Sequence, residues 1–85
     1  MVVRDRLIGE LLRMAEGFPN VNGRVEISPA PTHFELASRI ATHREAVSRE
    51  MSSLAKKSGV LGKEHKTLVI NNVDDLRALR DDKGD

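Results

Sequence analysis

The chain has no cysteine, no tryptophan and no tyrosine, and two phenylalanines among its 85 residues. Without cysteine there is no disulfide framework and no thiolate zinc site, which fits a reducing cytoplasm. With so few aromatics, the core has to be built from Leu, Ile, Val and Met. The N-terminal run MVVRDRLIGELL is not apolar for long enough to be a signal peptide or a membrane span. A soluble, cytoplasmic domain is therefore expected. A chain of this length forms one small domain with a modest core.

Other absences narrow the chemistry. His33, His43 and His65 lack the spacing of metal ligands. Ser48 has no His or Asp partner fixed near it, so nucleophilic catalysis is unsupported. Gly59-Val60-Leu61-Gly62 lacks the lysine and helix context of a phosphate-binding loop. The carboxylates are scattered beside basic residues, as on an ordinary surface. No enzyme activity, cofactor, metal or membrane partner is expected.

The net charge is +1, too small to indicate a nucleic-acid partner, but the charge is unevenly placed. Residues 1–38 carry four arginines against five carboxylates, a net of −1. Residues 39–67 carry Arg39, Arg44, Arg49, Lys56, Lys57, Lys63 and Lys66 against Glu45, Glu50 and Glu64, a net of +4. Residues 68–85 return to −2, with three cations against five aspartates. A positive centre of this kind is the footprint of a small DNA reader, although a solvated helix face would give the same pattern.

Hydrophobic spacing divides the chain. Leu7, Ile8, Leu11, Leu12 and Ala15 form one helical stripe, predicting a helix over 3–17 with Gly17 as its C-cap and Pro19 as a stop. That stripe is expected to pack against a wing sheet. Residues 18–23 read as a turn-rich loop in which Asn22-Gly23 favours a tight reversal. Arg24 to Ile27 alternate as a short half-buried strand, ended by Pro29 and Pro31. Thr32 with Glu35 forms a capping box opening a short helix, with Phe34, Leu36, Ala37 and Ile40 on its buried side. Ala41-Thr42-His43 is the next turn, and Thr42 with Glu45 predicts a second capping box. A helix then runs from His43 to Lys57, with Ala46, Val47, Met51 and Leu54 facing inward. Val60-Leu61 and Thr67 to Ile70 form a hairpin with a polar, mostly basic tip over 62–66. Val73 to Arg80 is a closing helix with acids in its first turn, and Asp81 to Asp85 is a frayed tail. The fold class is α+β: a winged helix-turn-helix.

The stretch Thr32 to Arg49 carries the function. A recognition helix must project polar side chains from its first two turns into the DNA major groove. Arg44, Glu45, Ser48 and Arg49 meet that demand; positions 45, 48 and 49 share a face through i+3 and i+4 spacing. Arginine bonds guanine O6 and N7 bidentately, and glutamate accepts from the cytosine amine. Thr32, His33, Thr42, His43 and Ser52 are placed as phosphate contacts, which fix register. Lys63, His65 and Lys66 on the hairpin would reach the neighbouring backbone. A salt-bridged surface helix is the plain alternative.

The block HREAVSRE, preceded by ELASRIAT and followed by a hairpin ending in LVINN, resembles the C-terminal DNA-binding domain of the cyclic-AMP receptor protein/fumarate-nitrate regulator (Crp/Fnr) family of bacterial transcription regulators. The resemblance covers nearly the whole chain and is densest from Thr32 to Asn72. It implies that Arg44, Glu45 and Arg49 match the base-reading triad of the cyclic-AMP receptor branch, and Glu45, Ser48 and Arg49 that of the fumarate-nitrate branch. Both share a guanine-containing, TGA-like half-site. It also implies a sensor β-barrel and a long dimerisation helix, which 85 residues cannot hold. The chain is then either an excised DNA-binding domain or a stand-alone relic; the expectation is the excised domain, monomeric and binding a half-site weakly, whose parent is a homodimer on a palindromic operator. By the same resemblance the loop Glu16 to Asn22 would face RNA polymerase; a plain connecting loop is the alternative. Three departures stand out: Ala41 where the family often has Gly, Glu50 at an often apolar position, and one extra residue over 55–58 before Gly59. The rival function is a winged helix used for protein–protein contact without DNA binding, which predicts an exposed apolar patch on the helix or wing.

Overall fold

The computed structural model describes residues 2–81. Its elements run α1 (Val3–Ala15), β1 (Asn20–Val21), β2 (Arg24–Ile27), α2 (His33–Arg39), α3 (Arg44–Lys56), β3 (Leu61–Glu64), β4 (Thr67–Ile70) and α4 (Val73–Asp81). The four strands form one antiparallel sheet in the order β1-β2-β4-β3. This is the winged helix-turn-helix expected: α2 and α3 are the two helices, and β3–β4 is the wing. The expectation of a frayed tail falls almost wholly outside the described residues.

One aliphatic core holds the elements together. Leu7, Ile8 and Leu11 of α1, Leu36 of α2, Val47 and Leu54 of α3, Ile70 of β4 and Leu76 of α4 are fully buried. Each such side chain contributes about 1.5–3 kcal/mol through removal from water. The α1 stripe packs mainly on α4 and α3, and β2 is the strand it meets most. That corrects the expectation that it lies on the wing sheet. Helix α1 also stops earlier than predicted, with Glu16 rather than Gly17 as its C-cap.

Register decides the two faces of the sheet. Val25, Ile70 and Leu61 are paired across it, as are Ile27, Leu68 and Lys63. These rows face the helices, so Lys63 sits at the wing's end on the side of α3. The opposite face carries Arg24, Glu26, Gly62, Glu64 and Val69. Arg24 donates to Glu26 at 3.1 and 3.2 Å and to Glu64 at 3.4 Å. The Glu26 hydrogen bond, reinforced by Glu64, raises the Arg24 pKa above its usual value. Val69, only 2% exposed, is buried on this outer face.

Several local expectations need correction. Residues 20 and 21 are not plain loop: they pair with Val25 and Arg24 as β1. The Asn22-Gly23 reversal between them has φ of +55° and +92°, the two positive angles a tight hairpin turn requires. A Cβ on Gly23 would lie 2.7 Å from Asn72. Asn72 in turn accepts from the Asp74 and Asp75 amides and caps α4. The wing is longer and its turn shorter than predicted: β3 continues to Glu64, and His65-Lys66 alone make the turn, with His65 at φ +57°.

Candidate nucleic-acid interface

The helix-turn-helix is assembled from its caps. Thr32 Oγ1 accepts from the Glu35 amide at 3.0 Å, and Glu35 accepts from the Thr32 amide at 2.9 Å. The predicted capping box therefore opens α2. Helix α2 closes through Ala41 at φ +59°, with the Thr42 amide donating to the Ala37 carbonyl at 2.9 Å. The left-handed conformation costs an alanine about 1–2 kcal/mol that glycine avoids. The family's usual glycine at this turn thus has a direct physical reason. The second capping box does not form. His43, not Thr42, is the N-cap of α3, and no side chain caps it. Helix α3 accordingly starts at Arg44.

Phe34, expected in the core, is 68% exposed. It follows His33 on α2, and the helix turns Leu36 and Ala37 inward instead. Counting apolar residues over one short helix could not distinguish these faces.

Two polar clasps orient α2 and α3 against α1. Glu10, 7% exposed, accepts from Arg13 at 2.7 Å and from Arg39 of α2 at 3.1 Å. Arg4 donates to Glu50 at 3.2 Å and to Ser53 at 2.9 Å on α3. Glu50 therefore stands at its unusual position because α1 offers it an arginine 46 residues away in sequence. Neither clasp follows from the sequence reading.

The other side of α3 is open. Arg44 and Glu45 are 62% and 77% exposed and approach each other only to 3.9 Å. Arg49 is exposed and makes no ion pair or hydrogen bond among the described residues. Ser48 is half-buried, and its Oγ lies 2.7 Å from Nδ1 of His33. A histidine does therefore stand beside Ser48, contrary to the sequence expectation. Among the described residues no carboxylate bonds that histidine, so no catalytic triad is formed.

Between α2, α3 and the wing lies a cleft of about 520 Å³. Arg44, Lys63, Lys66, His33 and His65 line it, with Phe34 at its wall and no carboxylate among the lining residues. The Ala30 amide donates to the Lys66 carbonyl at 2.7 Å, which ties the wing turn to the entrance of α2. Of the predicted phosphate contacts, Thr32, His43, Ser52, Lys63, His65 and Lys66 are exposed, while His33 and Thr42 are half-buried. No helix among the described residues is long and apolar enough to cross a membrane.

These features define a winged helix-turn-helix of the DNA-binding class. Residues 5–79 match the Crp-like helix-turn-helix domain, and the chain belongs to that family of DNA-binding transcription regulators. Its structure is similar to TTHA1359, a transcriptional regulator of the CRP/FNR family from Thermus thermophilus. The TM-score is 0.77 at 24% identity, covering 99% of this chain and 43% of that one. It is also similar to reduced CprK without ligand, with TM-score 0.74 at 19% identity and coverage of 89% and 36%. Oxidised CprK in complex with o-chlorophenolacetic acid gives 0.76 at 19%, with coverage of 91% and 33%. At these identities the likeness is one of fold, and the chain spans about a third to two fifths of the length of each regulator. No curated protein sequence matches the chain significantly.

Proposed function

We propose that this chain is the DNA-reading domain of a bacterial Crp/Fnr-type regulator and inserts α3 into the major groove of a TGA-like half-site. Arg44, Glu45, Ser48 and Arg49 read base edges. Thr32, His33, Thr42, His43 and Ser52 hold phosphates beside the helix, and Lys63, His65 and Lys66 do so from the wing. Thr32 spends its acceptor on the capping box, which leaves its hydroxyl proton free for a phosphate.

One observation carries this reading. The first two turns of α3 expose Arg44, Glu45 and Arg49, next to a cleft whose lining includes Arg44, Lys63 and Lys66 among apolar residues and no carboxylate. A duplex supplies the negative charge that such a surface lacks, and phosphate contacts set register while base contacts specify. The rival reading needs an apolar docking face. Among the described residues the exposed large apolar side chains are Val2, Val21 and Phe34; none is on α3 or the wing, and Phe34 stands alone at the edge of the cleft they form with α2.

The sensor and dimerisation segments of such a regulator would lie outside these 85 residues. A palindromic operator is read by two copies, so one copy binds a half-site weakly. In the whole regulator the segment 16–22, with Val21 exposed on β1, is the proposed contact to RNA polymerase.

Fluorescence anisotropy at low salt tests the reading, with duplexes carrying a TGA palindrome compared with scrambled ones. Tighter binding to the palindrome is expected. Equal binding to both would remove the TGA assignment. No binding to either would shift the function to protein contact.

A further inference from the structure

One polar contact between α2 and α3 joins a proposed phosphate contact to a proposed base reader: His33 Nδ1 and Ser48 Oγ are 2.7 Å apart. We infer that His33 is a positioning residue that fixes the hydrogen-bond polarity of Ser48, making it an acceptor toward DNA. This rests on the proposed reading of bases by Ser48.

A serine hydroxyl has one proton and two lone pairs, so alone it bonds either donors or acceptors on a base edge. A neutral imidazole has one N–H and one bare nitrogen. The Nε2 of His33 has no partner among the described residues. Its ring lines the cleft that holds Arg44, Lys63 and Lys66 and no carboxylate. A phosphate drawn into that cleft only accepts, so it selects the tautomer with hydrogen on Nε2. Nδ1 is then bare and accepts the hydrogen bond of the Ser48 hydroxyl. Ser48 is left with its lone pairs, which accept from the exocyclic amine of cytosine or adenine. The O6 of guanine and O4 of thymine offer it nothing. A phosphate held by α2 thereby sets what α3 reads.

The test uses half-sites carrying each of the four base pairs at the position where Ser48→Ala alters preference. His33→Gln keeps an N–H near Nε2 but has no counterpart of Nδ1; His33→Ala removes both. Wild type should favour the amine-bearing base by about fivefold, the worth of one neutral hydrogen bond. His33→Gln, whatever general change in affinity the altered phosphate contact brings to all duplexes, should lose that preference, with no further loss of preference in combination with Ser48→Ala. Equal weakening at all four base pairs, or a preference that survives, would overturn the inference. Imidazole nitrogen chemical shifts of the DNA-bound protein give a second reading: hydrogen on Nε2 is expected, and hydrogen on Nδ1 would refute it. If Ser48→Ala changes no preference, the inference falls together with that one role. The effect of Arg49→Ala at its own base pair still decides the proposed function separately.

Discussion

The two sides of α3 treat charge in opposite ways. Toward α1, Glu50 and Ser53 receive the Arg4 guanidinium, and nearby Glu10 gathers Arg13 and Arg39. On the exposed side, Arg44 and Glu45 meet only at 3.9 Å and Arg49 has no ion pair among the described residues, nor do Lys63 and Lys66 of the neighbouring wing. Arg6 and Arg80 stand outside this division. Paired charges fix the angle at which the helices meet; unpaired ones remain available to an outside anion. A cation already committed to a carboxylate contributes less to a phosphate, because the pair must first be broken. The difference therefore separates the scaffold from the proposed reading surface within a single helix.

Removing the anchor of the paired side should have the largest effect. Glu10→Ala removes charge-assisted bonds to two arginines. Those arginines are themselves more than half exposed and regain water, so the loss should be about 1–3 kcal/mol. Chemical denaturation measures it, and the preference for palindrome over scrambled DNA in the folded protein should not improve. If Arg13 and Arg39, once released, sharpened discrimination, the division between the two sides would be wrong.

A smaller and opposite change is expected at the turn. Ala41→Gly relieves a left-handed alanine while adding freedom to the unfolded chain, for a net gain of about 0.5–1 kcal/mol. Thermal unfolding should show a higher midpoint with base preference unchanged. A lower midpoint would mean that the turn is not strained.

The smallest effect belongs to the wing. Lys63→Ala or Lys66→Ala should weaken binding to all duplexes alike and reduce the salt slope by about 0.9 per lost phosphate contact. A slope identical to wild type would take the wing out of the interface.

How much of this is legible in the sequence follows from how local each feature is. The Thr32–Glu35 box, the α1 stripe and the face shared by Glu45, Ser48 and Arg49 depend on spacing within one element, so the sequence displays them as local structure. Strand β1 escapes detection because two exposed residues, Asn20 and Val21, carry no alternation. Phe34 is misplaced because a seven-residue helix gives too few turns to fix its buried face. Thr42 has the right residue type and spacing for a cap, but Ala41 in the left-handed region ends α2 so that His43 takes that place. The Arg4–Glu50 and His33–Ser48 contacts depend on how helices cross, which no spacing within a helix encodes. The family resemblance supplies the proposed roles, and the structure adds the contacts around them: the His33 partner of Ser48 and the Arg4 clasp on Glu50 and Ser53.

The most direct measurement pairs Arg4→Ala with Arg49→Ala, each assayed for thermal midpoint and for the affinity ratio of TGA palindrome to scrambled duplex. Arg4→Ala should cost about 1 kcal/mol after solvent screening, a fall of roughly 4–8 °C, with the ratio intact. Arg49→Ala should leave the midpoint in place and cut the ratio by about 1–3 kcal/mol. Equal loss on both duplexes in Arg49→Ala, or a lost ratio in Arg4→Ala, would contradict the proposal that the exposed face of α3 reads DNA.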